Sequence, residues 1–422
     1  MQRFVRYPTP DEWTRFRVYA RRMTRLYAPQ NDYVPWEDIL NCVNLDRSGL
    51  TLMPRLQLLH WTTARTSLPW LRHLLSPTLS VINLDFIGGH GSPVNVAIIK
   101  ALPITNLKRV AFSALRNNAE VDGALLDLVL NSKRLESISI QQEMPAGEIS
   151  LSTSDKFEGK RGPIELESIK SIKVAFKSEP TFLPSLFNRT TFPNIHEIYI
   201  KHVGNNDWSE CDDLFVSVLR SAAPGGLLAL RYTSIYNGID VTSTEIRSLQ
   251  RFVALRSLRV ESLCTAARCK FFLCDDDVSA IATSMPNLVE LYLGGPPCMS
   301  AVNVSIDGLT ALAANCTKLT ELQIHFDTAR FINKALDISG QRTPPPLSAK
   351  DPCQLSLLIV GKMPLRSGVD GSWIIGVALL QIFPNLKNIK CLQQHMSLYN
   401  EWGDVMKAIK VQRNVASFMA VR

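Results

Sequence analysis

The hydrophobic positions of the chain follow a pattern that recurs roughly every 30 residues. A leucine or isoleucine is followed three and five positions later by two further apolar residues, as in Leu288–Leu291–Leu293. The gap between successive first positions varies from 23 to 36 residues, so the pattern is regular in its apolar core and loose in length. The twelve first positions, called anchors below, are Leu56, Leu79, Leu107, Leu135, Ile169, Ile195, Leu227, Leu255, Leu288, Leu319, Leu355 and Leu386.

The sequence within one repeat predicts a helix, a turn and a short strand. Val278 and Ile281 have helical spacing, and Pro286 marks a turn because proline cannot continue a helix. Leu291 and Leu293 then alternate with polar residues, as in a strand. A unit of this size is too short to bury a core alone. We therefore predict an α/β leucine-rich-repeat solenoid, a curved horseshoe with a parallel sheet on the concave side and helices on the convex side.

The two ends of the chain predict capping elements, which the exposed ends of a solenoid require. Residues 9–12 (Thr-Pro-Asp-Glu) form a capping box with proline at the first helical position. The helix is predicted to continue to about Met23, and Met23 and Leu26 fit the start of a degenerate additional repeat. We assign residues 1–26 to this cap, 27–395 to a solenoid of about twelve repeats and 396–422 to a C-terminal capping helix. The predicted apolar faces are Trp13, Phe16, Tyr19 and Ala20 in the first helix, and Trp402, Val405, Met406 and Ile409 in a closing helix over residues 398–411.

Two segments interrupt the repeat pattern. Residues 141–163 contain Pro, Gly, Ser and charged residues without helical spacing, which predicts a loop in place of one helix. Residues 338–352 contain three consecutive prolines and predict an extended surface insertion.

Composition and charge indicate a cytoplasmic or nuclear protein. The longest strongly apolar stretch, residues 373–383, has 11 residues and is too short to span a bilayer, and residues 1–10 lack a signal-peptide pattern. Nine cysteines without disulfide-type spacing are consistent with a reducing compartment. Five of the eight net positive charges fall in residues 1–26 and form no stripe along the repeats, so we expect neither a nucleic acid nor a membrane as partner.

The sequence contains no pattern typical of a catalytic or metal site. The glycine-rich residues 88–91 lack the Lys-Ser/Thr of a phosphate-binding loop. Cys264, Cys269 and Cys274 are spaced too widely for an ordinary zinc site. We therefore predict a protein that is not an enzyme and that has no cofactor and no metal.

The outward positions of the predicted sheet are the remaining candidates for function. The third and fifth positions of each repeat point away from the apolar spine, and Tyr and Arg, which protein interfaces favour, concentrate there between residues 197 and 292. Leu357 and Ile359 form an apolar pair that is exposed unless the proline-rich insertion covers it. The alternative is a mixed polar surface without a special role. The predicted partner-binding residues on the concave face are Glu197, Tyr199, Arg231, Arg259, Glu290, Tyr292, Glu321 and Gln323.

The N-terminal sequence resembles a segment of fungal F-box/leucine-rich-repeat-like proteins. The resemblance covers residues 9–16 (TPDEWTRF) and 19–26 (YARRMTRL), which in that family follow the F-box and lead into the first repeat. Repeats that begin MPRL, FPNI, MPNL and FPNL are similar to those of the same family. The resemblance implies the substrate receptor of a cullin–RING ubiquitin ligase, in which the F-box binds a Skp-type adaptor and the repeats bind the target.

The sequence departs from this family at the F-box, a three-helix module, because only nine residues precede Pro10. We expect the substrate-recognition part of an F-box-type receptor without its F-box, which binds a protein on the concave face. A Skp-type adaptor is expected only if an F-box lies upstream. The alternative is an interaction scaffold or decoy unrelated to ubiquitin, and a third possibility is binding to an enzyme in the manner of ribonuclease inhibitor.

Overall fold

The computed structural model describes residues 9–28, 51–62, 68–86, 92–116, 118–143, 163–177, 182–203, 211–235, 240–262, 270–294, 303–340, 352–360, 365, 368–391 and 396–420. The chain divides into two compact units, Met1–Ile195 and His196–Arg422. In each unit short parallel strands alternate along the chain with helices. This is the α/β leucine-rich-repeat solenoid architecture that the repeat pattern predicts.

Within the described part of the first unit, six strands form a parallel ladder in chain order. A separate short pair joins two further strands. The ladder strands are β1 (Arg25–Ala28), β2 (Leu58–Thr62), β3 (Val81–Asp85), β4 (Arg109–Arg116), β5 (Ser137–Glu143) and β7 (Ser171–Phe176), and the pair is β6 (Ile164–Glu165) with β8 (Thr190–Thr191). The helices are α1 (Pro10–Ala20), a 3-10 helix (Leu68–Leu74), α2 (Ser92–Ala101), α3 (Ala119–Asn131) and α4 (Phe182–Arg189).

The second unit repeats this arrangement with seven ladder strands among its described residues. These are β9 (Glu197–His202), β10 (Ala229–Ser234), β12 (Ser257–Ser262), β14 (Glu290–Leu293), β15 (Glu321–Gln323), β16 (Leu357–Val360) and β17 (Asn388–Cys391), with a short pair of β11 (Asp240–Val241) and β13 (Lys270–Phe271). The helices are α5 (Cys211–Ser221), α6 (Ser243–Leu249), α7 (Asp275–Ser284), α8 (Ile306–Asn315), α9 (Thr328–Gly340), α10 (Gly368–Ile382) and α11 (Met396–Ala420).

The twelve anchors predict the ladder closely. Each anchor precedes one of the strands β2 to β5, β7, β9, β10, β12 and β14 to β17, and each of these strands begins two residues after its anchor. Leu291 pairs with Leu322 on the neighbouring strand, and Leu322 pairs with Leu358. All three side chains are completely buried. Successive repeats therefore share one apolar spine within the second unit.

Asparagine side chains connect neighbouring repeats at the turn before the strand. Asn106 Nδ2 donates to the carbonyl oxygen of Pro77 at 2.8 Å, and Asn194 and Asn385 make the corresponding bonds to the preceding repeat at 2.8 and 2.9 Å. Each of these residues lies one position before an anchor. The bonds satisfy carbonyl groups that the strand ladder does not reach.

Helix α1 begins as its sequence predicts and ends earlier. The Thr9 hydroxyl accepts from the Glu12 backbone N–H at 3.3 Å, while the Glu12 carboxylate accepts from the Thr9 N–H at 2.7 Å, which completes the capping box. The helix ends at Ala20 instead of Met23. Tyr19, predicted on the apolar face, is 66% exposed, whereas Ala20 is buried. The reason is geometric, because residues 13, 16 and 20 share one face of a helix and residue 19 lies about a quarter turn away.

After α1 the chain adds a strand to the ladder of the first unit. Leu26 of β1 pairs with Leu59 of β2, as the spacing of Met23 and Leu26 predicts. Leu26 is buried, while Met23 stays partly exposed.

The C-terminal helix is longer than the predicted segment 398–411. It extends over Met396–Ala420 and buries Trp402, Val405 and Ile409 as predicted, while Met406 is only partly buried. The second half of the helix exposes Val415.

Most of the two predicted interruptions lies outside the described residues. Of segment 141–163, residues 144–162 are not described, and of segment 338–352, residues 341–351 are not described. Helix α9 extends to Gly340, three residues into the second segment.

Candidate functional site

The eight predicted partner-binding residues all belong to the second unit and lie in two rows across its strands. The first row contains one residue from each of the neighbouring strands β9, β10, β12, β14 and β15, and each lies two residues after its anchor. In the parallel register these residues are Glu197, Ala229, Ser257, Glu290 and Glu321. The second row lies two residues further along, with Tyr199, Arg231, Arg259, Tyr292 and Gln323. Because alternate residues of a strand point to the same side, both rows share one face of the sheet. This surface is called the sheet face below.

One carboxylate oxygen organises the centre of the sheet face. Glu290 Oε2 accepts from the Ser257 hydroxyl at 2.8 Å and from Arg259 Nη2 and Nε at 2.9 and 3.1 Å. Arg231 Nη2 approaches the same oxygen at 3.3 Å. Charge-assisted bonds of this kind are stronger than neutral ones. Glu290 therefore holds two arginines from two neighbouring strands in fixed positions.

Arg259 is also fixed from the side of Tyr292 and Glu321. Its guanidinium carbon lies 4.0 Å from the centroid of the Tyr292 ring, a cation–π contact. The Tyr292 hydroxyl donates a short hydrogen bond to Glu321, and Arg259 Nη2 lies 3.7 Å from the same carboxylate. The planar guanidinium is thus enclosed by an aromatic face and two carboxylates, an environment that lysine could not satisfy equally.

The surroundings shift the pKa values of three groups in this cluster. Burial opposes the charge on Glu290, but hydrogen bonds from Ser257 and Arg259, with the charges of both arginines, outweigh burial and lower the pKa of this carboxyl. Burial and the hydrogen bond to Glu321 raise the pKa of Tyr292, which keeps its hydroxyl protonated as a donor. Burial raises the pKa of Glu261, and the two arginines oppose this shift.

The structure divides the predicted residues by accessibility. Glu197 is exposed, and Tyr199, Arg231, Arg259, Glu290 and Glu321 are partly buried. Tyr292 is 6% and Gln323 2% exposed, so these two side chains present little surface to a partner. Gln323 Nε2 donates to the carbonyl oxygen of Gly294 at 2.8 Å, a bond that ties β15 to the end of β14. Repeat spacing gives the direction of a side chain but does not show what covers it.

The apolar pair beside this surface is largely covered. Leu357 is partly buried and Ile359 is 6% exposed, so they do not form an open apolar patch. The sequence left this outcome open, and the insertion proposed to cover the pair lies mostly outside the described residues.

Two residues of the cluster were not among the predicted partner-binding residues. Ser257 is one of the outward positions, but serine is not among the residues that protein interfaces favour as anchors. Glu261 lies two residues beyond Arg259, in a third row that exists because β10 and β12 continue for six residues. In the sequence this row could have been found from the strand alternation, which continues beyond Val260 and makes Glu261 the next outward residue.

Other features considered in the sequence have structural roles where they are described. Cys274 Sγ lies 3.2 Å from Asp277 Oδ2 at the start of α7, while Cys264, Cys269 and the glycine-rich residues 88–91 lie outside the described residues. Within the described ranges, no group of three His, Cys, Asp or Glu residues is placed to hold a metal ion. No described helix combines the length and apolar character needed to cross a membrane.

Comparisons with known proteins give only a distant structural similarity. No protein-family model matches the chain, and no curated protein matches it. Among solved structures, the chain is similar to one in the crystal structure of the Rad7 and Elc1 complex in yeast. The two chains are 16% identical, the similarity covers 90% of this chain and 89% of the other, and the TM-score is 0.44. A similarity at this level does not indicate a shared partner or activity.

Proposed function

We propose that the chain is a non-enzymatic protein-binding module that holds its partner on the sheet face of the second unit. The observation that supports this proposal is the pair of partly exposed arginines, Arg231 and Arg259, held around Glu290 and, for Arg259, against the buried ring of Tyr292. Arginine is one of the residues that most often dominate binding energy at protein interfaces. Here the side chains of both arginines are fixed before any partner arrives, so less conformational entropy is lost on binding.

The charges of this surface favour a protein over a nucleic acid. Glu261, Glu290 and Glu321 lie among the two arginines, whereas a phosphate backbone requires a basic stripe. A surface of mixed charge selects partners by complementary pairs and rejects those that place like charges together.

The finer proposal is that the partner is a target for ubiquitylation and that the chain is the substrate-recognition part of an F-box-type ligase receptor. Its support is the resemblance of residues 9–16 and 19–26 to the segment that follows the F-box in fungal F-box/leucine-rich-repeat-like proteins. The alternative is a scaffold or decoy that binds the same surface without any connection to ubiquitin.

Site-specific crosslinking tests the binding surface. A photoreactive phenylalanine analogue replaces Tyr199 on the sheet face or, as a control, Arg220, which is exposed on α5 of the same unit. We expect a discrete crosslinked partner from position 199 alone, lost in the Arg231→Glu variant and retained in Arg220→Glu. The same partner crosslinked from both positions, or retained in Arg231→Glu, would contradict the proposal.

A second experiment separates the two finer alternatives. The half-life and ubiquitin-linked forms of the crosslinked partner are measured in cells with and without the full-length protein. A receptor shortens the half-life of its target, and Arg231→Glu should restore it. A partner whose half-life is the same in both cases supports the scaffold.

A further inference from the structure

Helix α1 has an exposed face that carries both charged and apolar side chains. Ala20 is buried, and Trp13 and Phe16 are half-buried, on the side that faces the core. Val18 lies on the opposite side and is 46% exposed, and Tyr19, about a quarter turn from the buried side, is 66% exposed. An 11-residue helix that served only as a cap would be expected to leave polar residues on this side.

Exposed apolar side chains are concentrated at this end of the unit. Of the thirteen large hydrophobic residues that are exposed in the described ranges, four lie within residues 18–27. They are Val18, Tyr19, Met23 and Tyr27. Single exposed apolar residues are ordinary, but a concentration of them indicates an interaction surface.

Arginine predominates among the charged residues of this end. Arg15, Arg21, Arg22 and Arg25 are all exposed, and residues 9–28 contain no lysine. Protein interfaces are enriched in Arg, aromatic residues and Met and depleted in Lys, whereas a merely solvated helix face is not. Both acidic residues lie in the first helical turn, where Glu12 is engaged in the capping box. Beyond the first turn, where Asp11 is exposed, the charged side chains of residues 13–28 are all arginines.

We propose that the outward face of α1 and the turn after it, formed by Arg15, Val18, Tyr19 and Arg22, binds an acidic amphipathic helix of a partner protein. Arg15, Val18 and Tyr19 follow one another in α1 at i, i+3 and i+4, the spacing with which one helix packs on another. Arg22 lies in the turn that follows α1, where its backbone N–H donates to the carbonyl oxygen of Tyr19 at 2.9 Å. Val18 and Tyr19 contact the apolar stripe of the partner, and the flanking arginines pair with its carboxylates. A second copy of this chain does not fit, because two such faces would bring like charges together.

The size of α1 sets the strength of this contact. Eleven residues extend over about 16 Å, or three helical turns. A contact this short lies at the small end of protein interfaces and corresponds to transient binding. Because exposed charges contribute, the affinity falls as salt is added.

The test uses the full chain and two labelled synthetic peptides of leucine and glutamate, measured by fluorescence anisotropy. One peptide places leucine at helical spacing, and the other has the same composition in scrambled order. We expect the patterned peptide to bind at least about tenfold more tightly, a difference of about 1.4 kcal/mol. Tyr19→Ala and Arg15→Glu should each weaken it by a similar factor.

Matched controls keep the result specific to α1. Phe272→Ala removes an exposed aromatic residue of the second unit, and Arg231→Glu changes the sheet face. We expect neither substitution to alter peptide binding. Because this test concerns α1 and not the sheet face, a negative result with the peptide would leave the proposed function untouched. Equal binding of both peptides, tighter binding of a DNA duplex, or an unchanged affinity in Tyr19→Ala would each overturn the proposal. Circular dichroism verifies that the variants fold.

Discussion

Gly376 in α10 faces α11 across a gap that has no room for a side chain. A Cβ atom at this position would lie 2.9 Å from Ala408 Cβ and 3.0 Å from the carbonyl oxygen of Val405. Nonbonded carbon atoms attract each other best at about 3.5–4.0 Å. Neither contact atom is the flexible end of a side chain, so Gly376→Ala would force the two helices apart by roughly 1 Å.

Two opposing effects determine the magnitude. Alanine stabilises a helix relative to glycine by about 1 kcal/mol, while overpacking of a close contact costs about 1–3 kcal/mol. For Gly376→Ala we expect a net loss of up to about 2 kcal/mol in the free energy of unfolding. Gly403→Ala in α11 is the matched control, because no atom lies within 4 Å of its added Cβ. That variant should gain about 1 kcal/mol.

Urea unfolding, followed by circular dichroism, measures both variants against the wild type. The difference between them reports the steric contact alone, because the propensity gain is common to both. Hydrogen exchange of the amides in α11 shows whether the loss is local to this helix pair. Combining Gly376→Ala with Ala408→Gly should recover part of the loss. If Gly376→Ala stabilised the protein as much as Gly403→Ala does, the close packing of α10 on α11 would be refuted.

Three further measurements test the packing of the second unit. Burial lowers the pKa of His202 to about 4 from 6.5, so between these values the unfolded chain binds a proton that the folded protein does not. Stability should therefore fall by up to about 3 kcal/mol as the pH falls from 6.5 to 4, and His202→Gln should remove most of this dependence in urea titrations. Leu291→Ala, at a fully buried spine position, should cost about 2–5 kcal/mol in the same assay, and a loss below 1 kcal/mol would contradict the shared spine. Burial raises the pKa of Cys316 to about 12, so mass spectrometry should show slow alkylation of this thiol by iodoacetamide at pH 8 until the protein is unfolded.

The repeat positions of the ladder could be predicted from the sequence because backbone geometry determines them. A strand alternates its side chains, and a turn followed by two alternating apolar residues gives the same local structure wherever it occurs. This is why strand starts follow the anchors so regularly. The apolar face of the first helix could be predicted less well, because Tyr19 lies near Phe16 and Ala20 in sequence but about a quarter turn from their face in the helix.

The candidate site could be predicted only in part. The direction of each outward residue follows from the repeat, and Arg231 and Arg259 lie side by side as expected. That Glu290 would bind both guanidinium groups depends on rotamers and on distances between strands, which no single repeat encodes. Tyr292 contacts Arg259 and Glu321 on the two neighbouring strands, and Gln323 donates to Gly294 at the end of β14. These contacts between repeats are likewise not encoded within one repeat.

The asparagine bonds at the turns have a consequence for how such a chain can grow. In these three cases the donor lies one residue before an anchor, and the acceptor lies two residues before the anchor of the previous repeat. A duplicated segment that contains the turn before Leu107, Ile195 or Leu386 would bring this donor with it and place it beside an equivalent carbonyl group. Gene duplication at these repeats would therefore lengthen the protein and keep the contact between neighbouring turns.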